Sequence, residues 1–109
     1  MISKNKKKKM MIKNLPEDQR PREKLLKYGA EILTDSELLA IILRTGVEGK
    51  SAIDIANEIL SNFGSFKGLA GRNIKELQNI KGIKGVKAIT IAATFEIIRR
   101  VVNQILDEK

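Results

Sequence analysis

The residues best placed to do chemistry lie in Leu77-Gln78-Asn79-Ile80-Lys81-Gly82-Ile83-Lys84-Gly85-Val86-Lys87-Ala88-Ile89-Thr90-Ile91, where glycines and lysines stand between two apolar runs. The pattern is that of two helices joined by a glycine-rich turn. Gly82 allows backbone angles closed to other residues, and Ile83 is positioned to plug the turn. Such a turn, and the start of the helix after it, expose amide N–H groups. Together with the positive end of the helix dipole they suit one phosphate group, and Lys81, Lys84 and Lys87 add charge around it. A phosphate contact positions nucleic acid without reading bases. The expected chemistry of Lys81, Gly82, Ile83, Lys84, Gly85 and Lys87 is therefore salt-sensitive, sequence-independent binding of DNA backbone. The competing reading is that the glycines only make the turn and the lysines only solvate it.

The distribution of charge favours binding. Of the net charge of +8, residues 1–13 hold +6 through Lys4, Lys6, Lys7, Lys8, Lys9 and Lys13. Residues 14–71 carry seven basic and nine acidic side chains, and residues 88–109 balance. Residues 72–87 alone concentrate positive charge in the body of the chain, with Arg72, Lys75, Lys81, Lys84 and Lys87 against Glu76. The lysine run at the start reads equally as a solvated, disordered tail or as an anchor for polyanions.

Catalysis has little to draw on. The chain contains no Cys and no His, which removes the usual zinc ligand sets, cysteine or serine-histidine nucleophile chemistry, and disulfides. No pair of carboxylates stands out as acid-base machinery, and neither a metal nor a cofactor is expected. Gly46-Val47-Glu48-Gly49-Lys50-Ser51 ends like a phosphate-binding loop, but two residues separate its glycines where that motif has four, and no strand precedes it. Gly46, Gly49 and Lys50 then stand either as a minor second phosphate contact or as a plain helix connection. No apolar run approaches the roughly 18 residues that span a bilayer, and no secretory signal follows the lysines, so the expected location is cytoplasmic.

These groups need elements to position them, and 109 residues provide for one domain. The expected organisation is a disordered lysine-rich tail over 1–13 and an all-α domain over 14–109. Pro16 and Pro21 bracket an extended segment before helix 1, Arg22 to Tyr28, whose buried side would be Leu25, Leu26 and Tyr28. Thr34 with Glu37, Ser51 with Asp54, and Asn73 with Glu76 have capping-box spacing and mark the starts of helices 2, 3 and 4. Phe66, Leu69 and Ala70 suit a short helical turn, and helix 4 would run from Ile74 to about Ile80 with Ile74, Leu77 and Ile80 buried. Helix 5, Val86 to about Leu106, has one apolar stripe through Ala88, Ile91, Ala92, Phe95, Ile98, Val102 and Ile105. A second apolar face carries Val86, Ile89, Ala93, Ile97 and Val101. A central helix wrapped by the other four would explain both faces; the other explanation is a partner face at Ile89, Ile97 and Val101.

Several motifs in order resemble the N-terminal domain of the RadC-type DNA repair protein family. They are Leu15-Pro16-Glu17-Asp18-Gln19-Arg20-Pro21-Arg22-Glu23-Lys24-Leu25, the run Leu33-Thr34-Asp35-Ser36-Glu37-Leu38-Leu39-Ala40-Ile41-Ile42-Leu43-Arg44-Thr45-Gly46, Gly49-Lys50-Ser51-Ala52, and the hairpin through Ala88. The resemblance implies a compact five-helix bundle of tandem helix-hairpin-helix type and a role in DNA repair. It also draws attention to Arg20, Arg22 and Arg44, each of which could instead pair with Glu17, Asp18 or Glu37. Two departures stand out. The family's hairpin reads Gly-hydrophobic-Gly, whereas here Lys84 takes the third position and glycine follows at Gly85. Proteins similar to this one continue into a JAB-type metallopeptidase-like domain with a His-x-His metal pair, and no histidine occurs in this chain. The expected function is thus a non-catalytic DNA-binding domain. The alternative is an interaction domain that docks a metallopeptidase-like domain or self-associates.

Overall fold

The computed structural model describes residues 20–108. The lysine-rich tail of residues 1–13 and the segment Leu15 to Gln19 lie outside the described residues. The described residues are all-α: α1 (Pro21–Tyr28), α2 (Asp35–Leu43), α3 (Ala52–Phe63), α4 (Phe66–Leu69), α5 (Ile74–Gln78) and α6 (Val86–Asp107), with a 3-10 turn at Ala30–Ile32. This is one helix more than the sequence suggests, because Phe66–Leu69 closes a full turn once the Ser65 hydroxyl accepts from the Gly68 amide at 3.2 Å. Pro21 takes the first helical position of α1, where its missing N–H costs nothing.

Three helices start as their local chemistry dictates. Thr34, Ser51 and Asn73 each accept from the amide three residues on, and Glu37, Asp54 and Glu76 each accept from the amide of their cap. Reciprocal bonds of this kind satisfy two otherwise orphaned donors per helix. Ser51 is thereby the one buried polar side chain among the described residues, and it is fully bonded.

The core lies where α2, α3, α5 and the beginning of α6 meet. Leu39 and Leu43 of α2, Ile55 and Ile59 of α3, Leu77 of α5, and Ala88 and Ile91 of α6 are buried together with Leu69 and Ile83. Helix α2 packs most extensively on α3, and α6 lies across α2.

Three expectations about burial are corrected. Helix α1 does not bury Leu26, which is 87% exposed, nor Tyr28; its buried residue is Pro21. This eight-residue helix meets α2 through an ion pair, Lys24 Nζ to Glu37 Oε2 at 2.8 Å, beside the buried Pro21 and the half-buried Leu25. Ile74 sits at the exposed start of α5 while Leu77 and Ile80 are buried. The largest change concerns α6, which is not wrapped by the other helices. Ala88 and Ile91 are buried, yet Ile97, Ile98, Val101, Val102, Ile105 and Leu106 are 47–63% exposed. Length explains this. At about 1.5 Å per residue, α6 reaches about 33 Å, whereas α4 and α5 have four and five residues and cover only its first turns. No helix among the described residues is long and apolar enough to cross a membrane.

The Glu37 carboxylate joins α1 to α2 and caps α2 at the same time. Burial pushes its carboxyl upward, but the Lys24 ammonium and the Thr34 amide and hydroxyl outweigh this and hold it below its ordinary value of 4.5. A carboxyl held lower in the folded than in the unfolded chain stabilises above its unfolded value and loses that contribution as pH falls through the folded one. Stability measured by urea denaturation should therefore decline as pH drops below 4.5, and Glu37→Gln should lose stability at pH 7 and show a flatter acid limb.

Candidate nucleic-acid interface

The segment joining α5 to α6 is a tight turn pressed against α3. The Asn79 and Ile80 amides still bond back to Glu76 and Leu77, and the Ile83 amide donates to the Ile80 carbonyl at 3.0 Å, closing the turn over Lys81 and Gly82. Gly82 has φ +95°, a region that glycine alone adopts without strain. It is also the point of closest approach, since a Cβ there would lie 2.9 Å from Ile55 Cδ1. Ile83 is fully buried, so the turn is plugged as its sequence suggests. Gly85 caps α6 with φ +56°, and no side chain bonds to this end of the helix. The same Gly85 position is open, with nothing near an added Cβ.

Lys81, Gly82, Lys84 and Lys87 line one surface depression of about 680 Å³, together with Val47, Gln78 and Asn79. No carboxylate lines it. Lys81 and Lys84 are exposed, and Ile83 lies beneath them in the core. Lys87 differs from its expected solvent-facing place. Its ammonium donates to the Leu43 carbonyl at 2.9 Å and to the Thr45 hydroxyl at 3.0 Å, so its stem lines the depression while its charge closes the end of α2. Burial first, and the Arg44 guanidinium second, push this ammonium below its ordinary 10.5. No local pattern announces this, because the partner lies 44 residues away.

The second candidate contact is occupied by the fold itself. The Val47 and Lys50 amides donate to each other's carbonyls at 2.9 and 3.0 Å, and Lys50 Nζ is paired with the Glu58 carboxylate. Gly46 is needed for packing, as an added Cβ would strike the Lys50 carbonyl. Gly49, at φ +85°, makes the turn and faces open space. Ile89, Ile97 and Val101, by contrast, are exposed on α6 as a partner face requires.

A second cationic cleft was only half visible in the sequence. Arg20 and Arg22 at the start of α1 and Arg44 after α2 line one cleft of about 390 Å³ with Thr45 and Gly46. Glu37, a candidate partner for these arginines, is engaged by Lys24. Glu17 and Asp18, the other candidates, lie outside the described residues. The signal available in the sequence was the family resemblance, which marks all three arginines; the structure adds that Arg44 is the one described non-glycine residue with positive φ, +71°.

The fold thus defines a small all-α domain with a lysine-lined turn and an arginine-lined cleft that adjoin where Arg44 and Lys87 come together. Residues 12–89 match the family model described as UPF0758 N-terminal, and the chain belongs to this RadC-like UPF0758 family. It is 44% identical over 95 residues to the UPF0758 protein of Janthinobacterium sp. (strain Marseille), covering 87% of this chain and 42% of that protein. It is 53% identical over 92 residues to the UPF0758 protein of Trichlorobacter lovleyi, covering 82% and 40% respectively. With the UPF0758 protein of Aliivibrio salmonicida it shares 55% identity over 67 residues, 62% of this chain and 30% of that protein. The chain spans about two fifths of the length of the first two of these curated relatives. No solved structure matches it at a significant level.

The turn and its tie to α2 make separable contributions to stability. Gly82→Ala should cost about 1–3 kcal/mol in urea denaturation, since it meets both a positive φ and Ile55, and Gly85→Ala should cost a similar amount from its backbone angles alone. Lys87→Met, which keeps the stem and removes the bond to Leu43, should cost about 1–2 kcal/mol.

Proposed function

We propose that the domain is a non-catalytic, helix-hairpin-helix module that binds nucleic-acid backbone, DNA foremost, without reading bases, in a role linked to DNA repair. The observation that carries this reading is the depression lined by Lys81, Lys84 and Lys87 and by no carboxylate, at the end of a helix that no side chain caps. Lys81 and Lys84 supply charge, and the amides around Gly82 and Gly85 face the phosphate. Lys84 replaces the usual hairpin glycine with a cation, exchanging close backbone approach for electrostatic attraction. Lys87 acts by fixing the turn against α2, and Ile83 acts by plugging it. The absence of His and Cys supports a role without catalysis in these residues.

Fluorescence anisotropy of labelled duplex, branched and single-stranded DNA across a salt series tests this, using the full chain and a version starting at Ile12. Binding should survive removal of the tail, and Lys84→Glu should weaken it and reduce the salt slope by about one. Binding that disappears with the tail, or is unchanged in Lys84→Glu, would overturn the hairpin site.

A second reading is favoured by the exposed apolar half of α6. Glu96 is bonded to Arg99 and Arg100 and held by them at a pKa of about 2, so these three charges are paired within the helix beside the exposed apolar residues. In this reading Ile89, Ile97 and Val101 dock a metallopeptidase-like domain or a second copy. Sedimentation should then show an oligomer or a complex that Ile97→Glu with Val101→Glu dissolves; a monomer indifferent to both changes would count against it.

A further inference from the structure

Helix α6 keeps one apolar face along its length, and the fold covers only the first part of it. At about 100° per residue, Ile91, Phe95, Ile98, Val102 and Ile105 fall on one side. Ile91 is buried and Phe95 packs against the core, whereas Ile98, Val102 and Ile105 are exposed. Ile97, Val101 and Leu106 flank the same face and are exposed as well. Ile89 is open too, but it precedes Ile98 by nine residues and so lies half a turn round the helix.

The uncovered part reads the same from either end. Ile97-Ile98, Val101-Val102 and Ile105-Leu106 place two larger side chains on each side of two smaller ones. A twofold interface demands this symmetry, because a residue i that meets j must find its own j met by i. Antiparallel pairing about a centre between Val101 and Val102 sets Ile98 against Ile105 of the second copy and brings the small valines together at the crossing. A groove of about 560 Å³ beside Phe95, Ile98 and Val102, walled by Leu69 and Ala70, then receives the second copy's Leu106. Charge permits the approach. The chain has a net charge of +8, yet residues 88–109 carry Arg99, Arg100 and Lys109 against Glu96, Asp107 and Glu108, and Glu96 is bonded to both arginines. Six half-exposed side chains present about 500 Å² per copy, so a pair buries about 1,000 Å² in total, the lower bound for a specific interface.

We propose that the uncovered half of α6 is the interface of an antiparallel homodimer, closed about a twofold axis between Val101 and Val102 with Ile98 and Ile105 as its core. The proposal rests on the docking reading of α6 and narrows it: the occupant is a second copy, and Ile89 takes no part. The lysine-lined turn lies at the opposite end of each α6 from this interface. An antiparallel dimer therefore presents two such turns, one at either end.

The test is sedimentation equilibrium of the full chain from about 1 to 500 µM, where a monomer–dimer equilibrium with a Kd of about 1–100 µM is expected. Val102→Glu, at an exposed helical position, should raise that Kd at least about tenfold, while Ile89→Glu leaves it unchanged. Orientation is read separately, since a chain without cysteine reports only the thiols introduced into it. In a glutathione redox buffer Val102→Cys should link to itself, and Ile98→Cys should link to Ile105→Cys when the two are mixed. Ile98→Cys alone should not link, because antiparallel pairing sets its two copies about 10 Å apart along the axis, beyond the reach of a disulfide. A monomer at every concentration, a dimer that Ile89→Glu weakens as much as Val102→Glu, or self-linking of Ile98→Cys as complete as that of Val102→Cys would overturn the proposal. An oligomer that Ile97→Glu with Val101→Glu dissolves, but in which Val102→Cys does not link, would overturn this dimer and keep the broader docking reading.

Discussion

Gly82 carries no side chain, and Ile55 stands where one would have to go. The distance from that empty Cβ position to Ile55 Cδ1 is 2.9 Å, and the next residue, Ile83, is fully buried. The turn between α5 and α6 is therefore drawn down onto α3 at the level of the backbone. Its position fixes where α6 begins, and the first turn of α6 places Lys87 within reach of the Leu43 carbonyl. From Leu43 the influence continues to the positive-φ turn at Arg44. One steric permission at a glycine thus sets the geometry of both cationic concavities, although they lie on different loops.

Cations in this domain fall into three groups by what answers them. Lys24, Lys50, Arg99 and Arg100 meet carboxylates, and Lys87 meets a helix-end carbonyl and a hydroxyl. Of the other cations, Lys81 and Lys84 line one concavity, and Arg22 and Arg44 line another. Counting charge along the chain located the first pair because it stands in a run of basic residues. The second pair is diluted by neighbouring acids in the sequence, and it emerges only when the fold sets the start of α1 beside the end of α2.

The parts legible in the sequence are those decided within a few residues. Thr34, Ser51 and Asn73 announce their helices because the atoms that cap them are three positions away, and Gly82 announces a turn for the same reason. Periodicity identified the apolar stripes of α6 but carries no information about what lies against them, and the short α4 and α5 leave the second half uncovered. Leu26 and Tyr28 are the opposite case: apolar type suggests burial, while α1 turns Pro21 and part of Leu25 inward and leaves both of them exposed. Lys87 looks like a surface charge along the chain because its acceptor is 44 residues away.

Helix α6 lying across α2 joins parts of the chain that are far apart, whereas the other extensive helix contacts, α1 with α2, α2 with α3, α3 with α4 and α5 with α6, link neighbours. The topology is accordingly one of low contact order, in which two local hairpins can assemble on their own and the closure that brings α6 to α2 is the step requiring long-range search. Loop-closure entropy grows slowly with length, about 0.6 kcal/mol for each doubling. Added residues in the exposed connection between α3 and α5 would consequently slow the meeting of the hairpins while leaving the finished docking almost unaltered.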